Sequence, residues 1–449
     1  MVVDERAAPG EKARVLDALD GLADPLRGRG HGRRSHCIPP CVYRQGSVRS
    51  SSLPRQRWLI AASLFAVVFS AASPIAAFGV FLPTLAEHFG WSRGAISVAL
   101  SLALLLGGIG AFAVGAIADR RGPRGILLLT VAFAGVGFAL ASTTRELWHL
   151  YVFIGVMGGL GTSGFYVIAS ATVTRWFEEQ RGLALALVLA GFNVSFVTAG
   201  PVAVWLIERL GWRGAFLVFG GWLCLVGSLA ALVVRDPPLS VLLTMRTPRA
   251  GTRGMSILGA LADRRLWLLE LCWLLLGSVV LMVSVHIVSY SRDRGTALAT
   301  ASFALTAYGI GATIGRIGFG ALADRLGARS VMRFCIVLEV VALIVVLLEP
   351  PQELLLVALA VFGMGFSGGD TAFVRIIPDV FGLKALGAIT GLLALGWRSG
   401  AALGPAVAGF VHDATGSYAV PFGLAPVALV LSYALFTWGS ASRQSASSA

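Results

Sequence analysis

The chain has 449 residues, of which 56% are hydrophobic and 13% charged, and its mean hydropathy is +0.80. Soluble domains run about 45–50% apolar and about 25% charged, so a water-soluble multidomain protein, a disordered chain, a coiled coil and a disulfide-built scaffold are excluded. The net charge of +13 would suggest nucleic acid in a soluble protein, but arginine-rich loops on one side of a membrane produce it without such a partner.

Residues 1–57 hold no long apolar run and are rich in Arg, Gly, Ser and Pro. They read as a disordered, basic cytoplasmic tail rather than a signal peptide. His36, Cys37 and Cys41 lie together there, at a spacing that matches no zinc pattern well, and no metal is expected. Cys224, Cys272 and Cys335 fall in apolar runs and read as small hydrophobes.

A spanning helix needs ~20 apolar residues. Runs bounded by charges meet this at Trp58–Leu82, Ala95–Ala118, Gly125–Thr144, Leu147–Thr174, Gly182–Ile207 and Gly214–Val234. A polar stretch over 235–265 follows. Six further runs are Leu266–Tyr290, Thr296–Ala323, Ser330–Leu348, Leu354–Ile377, Ala385–Val411 and Ala419–Gly439, with 440–449 a short cytoplasmic tail. The reading is an all-α membrane protein of twelve transmembrane helices, one bundle over 58–234 and a second over 266–439.

Alternate loops differ in charge. One set holds Arg120, Arg121, Arg124, Arg175, Arg181, the arginines between Arg235 and Arg265, Arg325, Arg329, Arg333 and Lys384. The other holds Arg93, Arg145, Arg209, Arg213, Arg292 and Arg294. The richer set is expected in the cytoplasm, together with both termini.

The two halves repeat. Gly115-Ala-Ile-Ala-Asp119-Arg120-Arg-Gly122-Pro-Arg124 recurs as Gly320-Ala-Leu-Ala-Asp324-Arg325-Leu-Gly327-Ala-Arg329, an offset of 320 − 115 = 205. Gly211 recurs as Gly416 at the same spacing, and Gly200-Pro201 as Gly404-Pro405 one residue short of it. Two six-helix pseudo-repeats follow, as in a transporter built from parallel repeats. In the motif, Gly115 and Gly320 permit close helix approach. Asp119 and Asp324, with Arg120, Arg124, Arg325 and Arg329, are placed to latch the halves together in one state and part in another.

This motif pair resembles the signature of the major facilitator superfamily, over residues 58–439. Phe81-Leu-Pro83 with Phe89-Gly90-Trp91-Ser92-Arg93, Trp176-Phe177 with Arg181-Gly182-Leu183-Ala184, and His286-Ile-Val-Ser-Tyr290 resemble the bacterial monocarboxylate transporter-like branch, neighbour to the oxalate/formate antiporters. The resemblance implies the major facilitator fold. Two departures are Glu179-Gln180, where that branch has paired basic residues, and Gly200-Pro201, which lacks the flanking glycines of drug antiporters.

Charge deep in a bilayer costs about 2.5–3.5 kcal/mol by insertion scales and marks function. Arg316 lies eight residues before Asp324, ~12 Å into the membrane. By resemblance it matches the eighth-helix arginine that binds substrate carboxylate, and its planar fork suits that partner. The acidic partner that animal members carry one turn earlier is replaced by Ala312. Arg398 is equally deep and matches the second cation of oxalate transporters; the alternative is pairing with Asp370. Asp370 is either a proton-coupling acid or the neutraliser of one of these arginines. His286, near the outer end of the seventh helix, is a second proton candidate, or an interfacial hydrogen-bonding residue. Tyr166 and Asn193 are candidates to line the cavity, or packed residues. Glu270 is expected to snorkel at the start of the seventh helix, and Glu339 to pack in the ninth.

No P-loop, zinc-protease or hydrolase motif is present, so neither enzyme nor cofactor is expected. The expectation is a monomeric secondary transporter, in contact with lipid, in the bacterial inner membrane. It would carry a small carboxylate, a monocarboxylate first of all, with H+. The alternatives are a carboxylate exchanger, a non-transporting sensor on the same fold and, more weakly, a drug exporter.

Overall fold

The computed structural model describes residues 53–177, 180–237, 254–382 and 384–440. The basic tail through residue 52, with its His36–Cys41 cluster, lies outside them, as do most of the central loop and the last nine residues.

The described residues form twelve membrane-length helical crossings. The first half comprises α1 (Leu53–Phe89), α2 (Arg93–Arg121), α3 (Pro123–Ala141), α4 (Leu147–Trp176), α5 (181–210) and α6 (212–233). The second comprises α7 (Arg264–Asp293), α8 (Leu298–Leu326), α9 (Ala328–Leu347), α10 (Gln352–Phe381), α11 (Leu386–Thr415) and α12 (Ala419–Gly439). The only β pairing among the described residues is an isolated bridge between Gly254 and Gly382.

The helices outrun the apolar windows. α1 continues through Pro74 and Pro83 to Phe89. The hydroxyls next to the prolines are satisfied within the helix, Ser73 donating to the Phe69 carbonyl at 2.7 Å and Thr84 to that of Val80 at 3.1 Å, as lipid requires. α4 carries a π-helical stretch over Tyr151–Gly158. α5 and α6 form one run broken only at Gly211, where φ is +69°.

The repeat is stereochemical as well as sequential. Gly90 and Gly295, Gly122 and Gly327, and Gly211 and Gly416 all have positive φ, a region that glycine alone enters freely. Each pair is 205 residues apart (295 − 90, 327 − 122, 416 − 211). Equivalent turns in the halves are therefore built alike.

Small residues set the helix spacing. On α11, Gly396, Gly400 and Gly404 lie at successive turns against Glu270, Leu274 and Ser278 of α7, where a Cβ would meet α7 backbone. Gly311 and Gly315 of α8 do the same against Ala360 and Met364 of α10. With no hydrophobic drive between helices in lipid, such close approach is what holds them. Glu270 is half-buried near the start of α7, with Oε1 packed beside Gly396 and Oε2 without a hydrogen-bond partner.

The halves meet mainly through α2 against α11 and α5 against α8, with α1 touching α7. Their polar ties gather toward the end that carries Arg93. There Arg93 forms a bidentate pair with Asp293, both bonds at 2.6 Å. The backbone amides of Arg93 and Gly94, at the start of α2, donate to Asp413 at 2.9 and 2.8 Å, an anion on a helix N-terminus. The Arg93 guanidinium also donates to the Tyr418 hydroxyl at 3.2 Å and lies 3.3 Å from His412 Nε2. Arg292 reaches Glu87 at 3.0 Å. Further in, Ser101 donates to the Ala402 carbonyl, and Thr306 to that of Val197 at 2.9 Å.

Candidate functional site

Arg316 sits on α8 with its side chain 11% exposed, and Asp370 on α10 at 22%. Their Nη2–Oδ2 distance is 2.9 Å. The Nε of Arg316 donates to the Ser367 hydroxyl at 3.1 Å. That oxygen also accepts from Asn193 Nδ2 at 3.1 Å, and the same Asn193 amide donates to the Ala312 carbonyl at 3.3 Å. Asn193 belongs to α5, so the network ties the two halves beside the guanidinium. Ser367 and Asp370 share a face because they are three residues apart on one helix.

Of the two arginines weighed as its partner, Asp370 takes Arg316. The acid absent one turn before Arg316, at Ala312, is thus supplied from a different helix. Arg398 points the other way, across the seam between the halves. Its side chain rests on Gly107 and Gly108 of α2, where a Cβ would come within 3.6 Å of Nη1 and 2.9 Å of Cδ. It is half-buried, and among the described residues it has no carboxylate partner. A membrane-embedded guanidinium with no counter-charge is a ready acceptor for an anion.

Tyr166 lies within electrostatic reach of Arg316, Asp370 and Arg398, yet is 37% exposed. Arg316, Asp370 and Asn193 are therefore joined through Ser367, while the Arg398 side chain turns to α2.

His286 is not among them. It stands at the Arg93 end, fully buried, with both ring nitrogens engaged rather than at an interface. Its Nε2 donates to the Pro405 carbonyl at 2.8 Å, which leaves Nδ1 to accept from the Tyr418 hydroxyl at 2.8 Å. Glu339 is buried on α9, with its Cγ against Gly365 of α10 and one carboxylate oxygen without a hydrogen-bond partner.

The repeated motif lies at the opposite end. A Cβ on Gly115 would be 3.3 Å from Val167, and one on Gly320 3.4 Å from Thr371, so each glycine seats its helix on the equivalent neighbour of its own half. Arg120, Arg124 and Arg325 are exposed and Arg329 half-buried. The side chains of Asp119 and Asp324 are outside the described set. Nearby, Arg175 pairs with Asp236 at 2.9 Å.

Sequence reasoning missed Ser367, the Gly107–Gly108 seat and the Arg93–Asp293–Tyr418 cluster. Only Ser367 had a readable signal, its spacing from Asp370.

The family model described as Major Facilitator Superfamily matches residues 64–297 and 274–449. The chain belongs to the major facilitator superfamily. This superfamily member is a transporter and not an enzyme. It is 28% identical to Monocarboxylate transporter 11 of Mus musculus over 379 residues, covering 81% of this chain and 83% of that one. It is 27% identical to Monocarboxylate transporter 13 of Bos taurus over 376 residues, covering 82% and 85%. In fold it is similar to a bacterial homolog of the human lysosomal transporter Spinster, in an inward-facing, unoccupied conformation, with a TM-score of 0.68, 16% identity and coverage of 86% of this chain and 97% of that one.

Proposed function

We propose that this superfamily member moves a small monocarboxylate together with a proton across the bacterial inner membrane by alternating access. The observation that carries the reading is the pairing of Arg316 with Asp370 at 2.9 Å, together with an Arg398 that has no carboxylate partner among the described residues. The naming of its relatives as monocarboxylate transporters agrees with it.

The cycle follows from the charges. With Asp370 ionised, Arg316 is answered, and Arg398, which has no carboxylate partner among the described residues, is free to attract a carboxylate. Protonation of Asp370 removes the answer to Arg316, so a second guanidinium becomes available to the same carboxylate. Proton and anion then bind together with no net charge between them, so the loaded site carries the same charge as the empty one and moving it past a low-dielectric barrier costs no more. The halves would rock about the site, breaking the Arg93 cluster at one end while the motif residues latch the other. Since the arginine-rich loops belong inside, the Arg93 end would face the periplasm and both termini the cytoplasm.

Full-length protein in proteoliposomes would take up labelled lactate when the outside is acidified, and Arg316→Ala and Arg398→Ala would each reduce uptake to background. Wild-type flux unaffected by either substitution would overturn the site. Lactate exchange that proceeds equally well without a pH gradient would replace symport by exchange.

A further inference from the structure

Asn193 is 2% exposed, too buried to offer its amide to a substrate. Its Nδ2 instead crosses from α5 to the second half, donating to the Ala312 carbonyl at 3.3 Å and to the Ser367 hydroxyl at 3.1 Å. In a regular helix the carbonyl of residue 312 accepts the backbone N–H of residue 316. The Ser367 oxygen accepts from the Arg316 Nε at 3.1 Å. One amide in the first half thus touches both the backbone and the side-chain support of the guanidinium.

The seam is tight at this level. A Cβ on Gly309 would come within 2.6 Å of the Val197 nitrogen and 3.0 Å of the Asn193 carbonyl, and Thr306 donates to the Val197 carbonyl at 2.9 Å. With backbones this close, α5 cannot shift on α8 without carrying the Asn193 amide past Ala312 and Ser367.

Ser367 is held in an unusual way. Ser73, Ser278 and Ser284 each turn their hydroxyl back to the carbonyl four residues earlier on their own helix. The Ser367 oxygen receives donors from two other helices, which occupies both of its lone pairs. Two fixed donors fix the oxygen. With the amide withdrawn, the hydroxyl is free to turn, and Arg316 loses a partner that keeps its fork on Asp370.

Resting on the proton-and-carboxylate reading above, we infer that Asn193 is a positioning residue: through Ser367 it aims Arg316 at Asp370 while α5 is docked on α8. Docking of the halves then strengthens the Arg316–Asp370 pair, and by reciprocity the pair strengthens docking. Protonation of Asp370, which parts the pair, is felt in the first half through one hydroxyl.

The test is the pH profile of labelled lactate uptake in proteoliposomes containing the full chain. Tyr166 of α4 and Tyr308 of α8 also lie within electrostatic reach of the pair, Arg398 within reach of Tyr166, and Glu339 within reach of Tyr308. All four are kept in every variant, so a displaced midpoint reports on the Ser367 path. In Asn193→Ala the pair is weaker, Asp370 gives up its proton less readily, and the pH of half-maximal uptake moves up by about one unit, the effect of one hydrogen bond to a charged group. Ser367→Ala moves it equally, and the double variant moves it no further. Thr306→Val, which removes a bond of the same seam that does not reach Ser367, leaves it in place. If Asn193→Ala does not fold, Asn193→Val, closer to asparagine in volume, takes its place. An unmoved midpoint, shifts that add in the double variant, an equal shift in Thr306→Val, or loss of uptake at every pH in a folded Asn193 variant would overturn the inference and leave carboxylate transport standing. Absence of lactate flux in the wild type would overturn both.

Discussion

The Arg316 Nη2 and the Asp370 Oδ2 lie 2.9 Å apart, on adjacent helices of the second half, with Ser367 bonded to the same guanidinium at 3.1 Å. Removing one member of such a buried pair costs about 3–5 kcal/mol, because the survivor keeps its charge without an answer. The pair therefore couples two properties, charge and helix packing, at one point.

Asp370→Asn should separate transport from proton drive. The amide keeps the shape but holds no proton to deliver. Accumulation of lactate driven by an acid outside should fall to background, while exchange of internal for external lactate persists. Parallel uptake and counterflow measurements read this, and intact pH-driven accumulation in Asp370→Asn would remove Asp370 from the coupling step.

Gly108→Val should displace Arg398 without touching it. A Cβ at position 108 already comes within 2.9 Å of the arginine Cδ, and valine adds two methyl groups. The half-saturating lactate concentration should rise at least tenfold, about 1.4 kcal/mol. Gly423→Ala, with nothing within 4 Å of the added Cβ, should leave it unchanged.

Arg93→Ala should open the end that it now holds shut. It removes a bidentate pair to Asp293, a bond to Tyr418 and a contact with His412. Both partners of the pair are partly exposed, at 18% and 36%, so solvent screening keeps the effect to about 1–3 kcal/mol, a five- to 150-fold change in the ratio of states. Spin labels on residues 145 and 353, one in each half at this end, should gain a longer-distance population in Arg93→Ala.

Tyr418→Phe should weaken the same end, and to the same extent at every pH between about 6 and 9. Burial pushes the Tyr418 phenol up to about 12, against a smaller opposing pull from Arg93. A raised phenol contributes its stability in the protonated form, in full below about pH 10 and lost only as pH climbs through the folded value. The hydroxyl therefore persists as donor to His286 and acceptor from Arg93 throughout that window. Its loss strands a buried imidazole nitrogen, worth about 1–3 kcal/mol. Thermal unfolding in detergent should show a drop of a few degrees, equal at pH 6 and pH 9; a drop confined to one of them would contradict this account.

The twelve crossings and the two-fold repeat were legible in the sequence because apolar length and a constant offset need no tertiary knowledge. The ends of helices were not, since α1 passes through Pro74 and Pro83 and continues to Phe89. That Arg316, Arg398 and Asp370 lie within the spanning helices was likewise readable from their distance to the loop charges. Their partners were not. Depth does not give azimuth, so Asp370 with Arg316 and Asp370 with Arg398 were equally open until α8 and α10 were seen to touch. His286 shows the opposite failure: its position near a helix end suggested a wet interface, but α11 and Tyr418 enclose it. The Arg93 cluster joins residues 93, 293 and 413, separations that no local pattern encodes.

The clamp at the Arg93 end is made of partly solvated charges, and this gives dissolved salt a part in the cycle. At physiological ionic strength charges in water are screened beyond ~8 Å, and at 1 M beyond ~3 Å. The Arg316–Asp370 pair, deep between helices, is shielded from that influence. Concentrated electrolyte should thus loosen the closed mouth while sparing the interior cation, so that the ionic make-up of the medium shifts which way the molecule faces without altering what it grips.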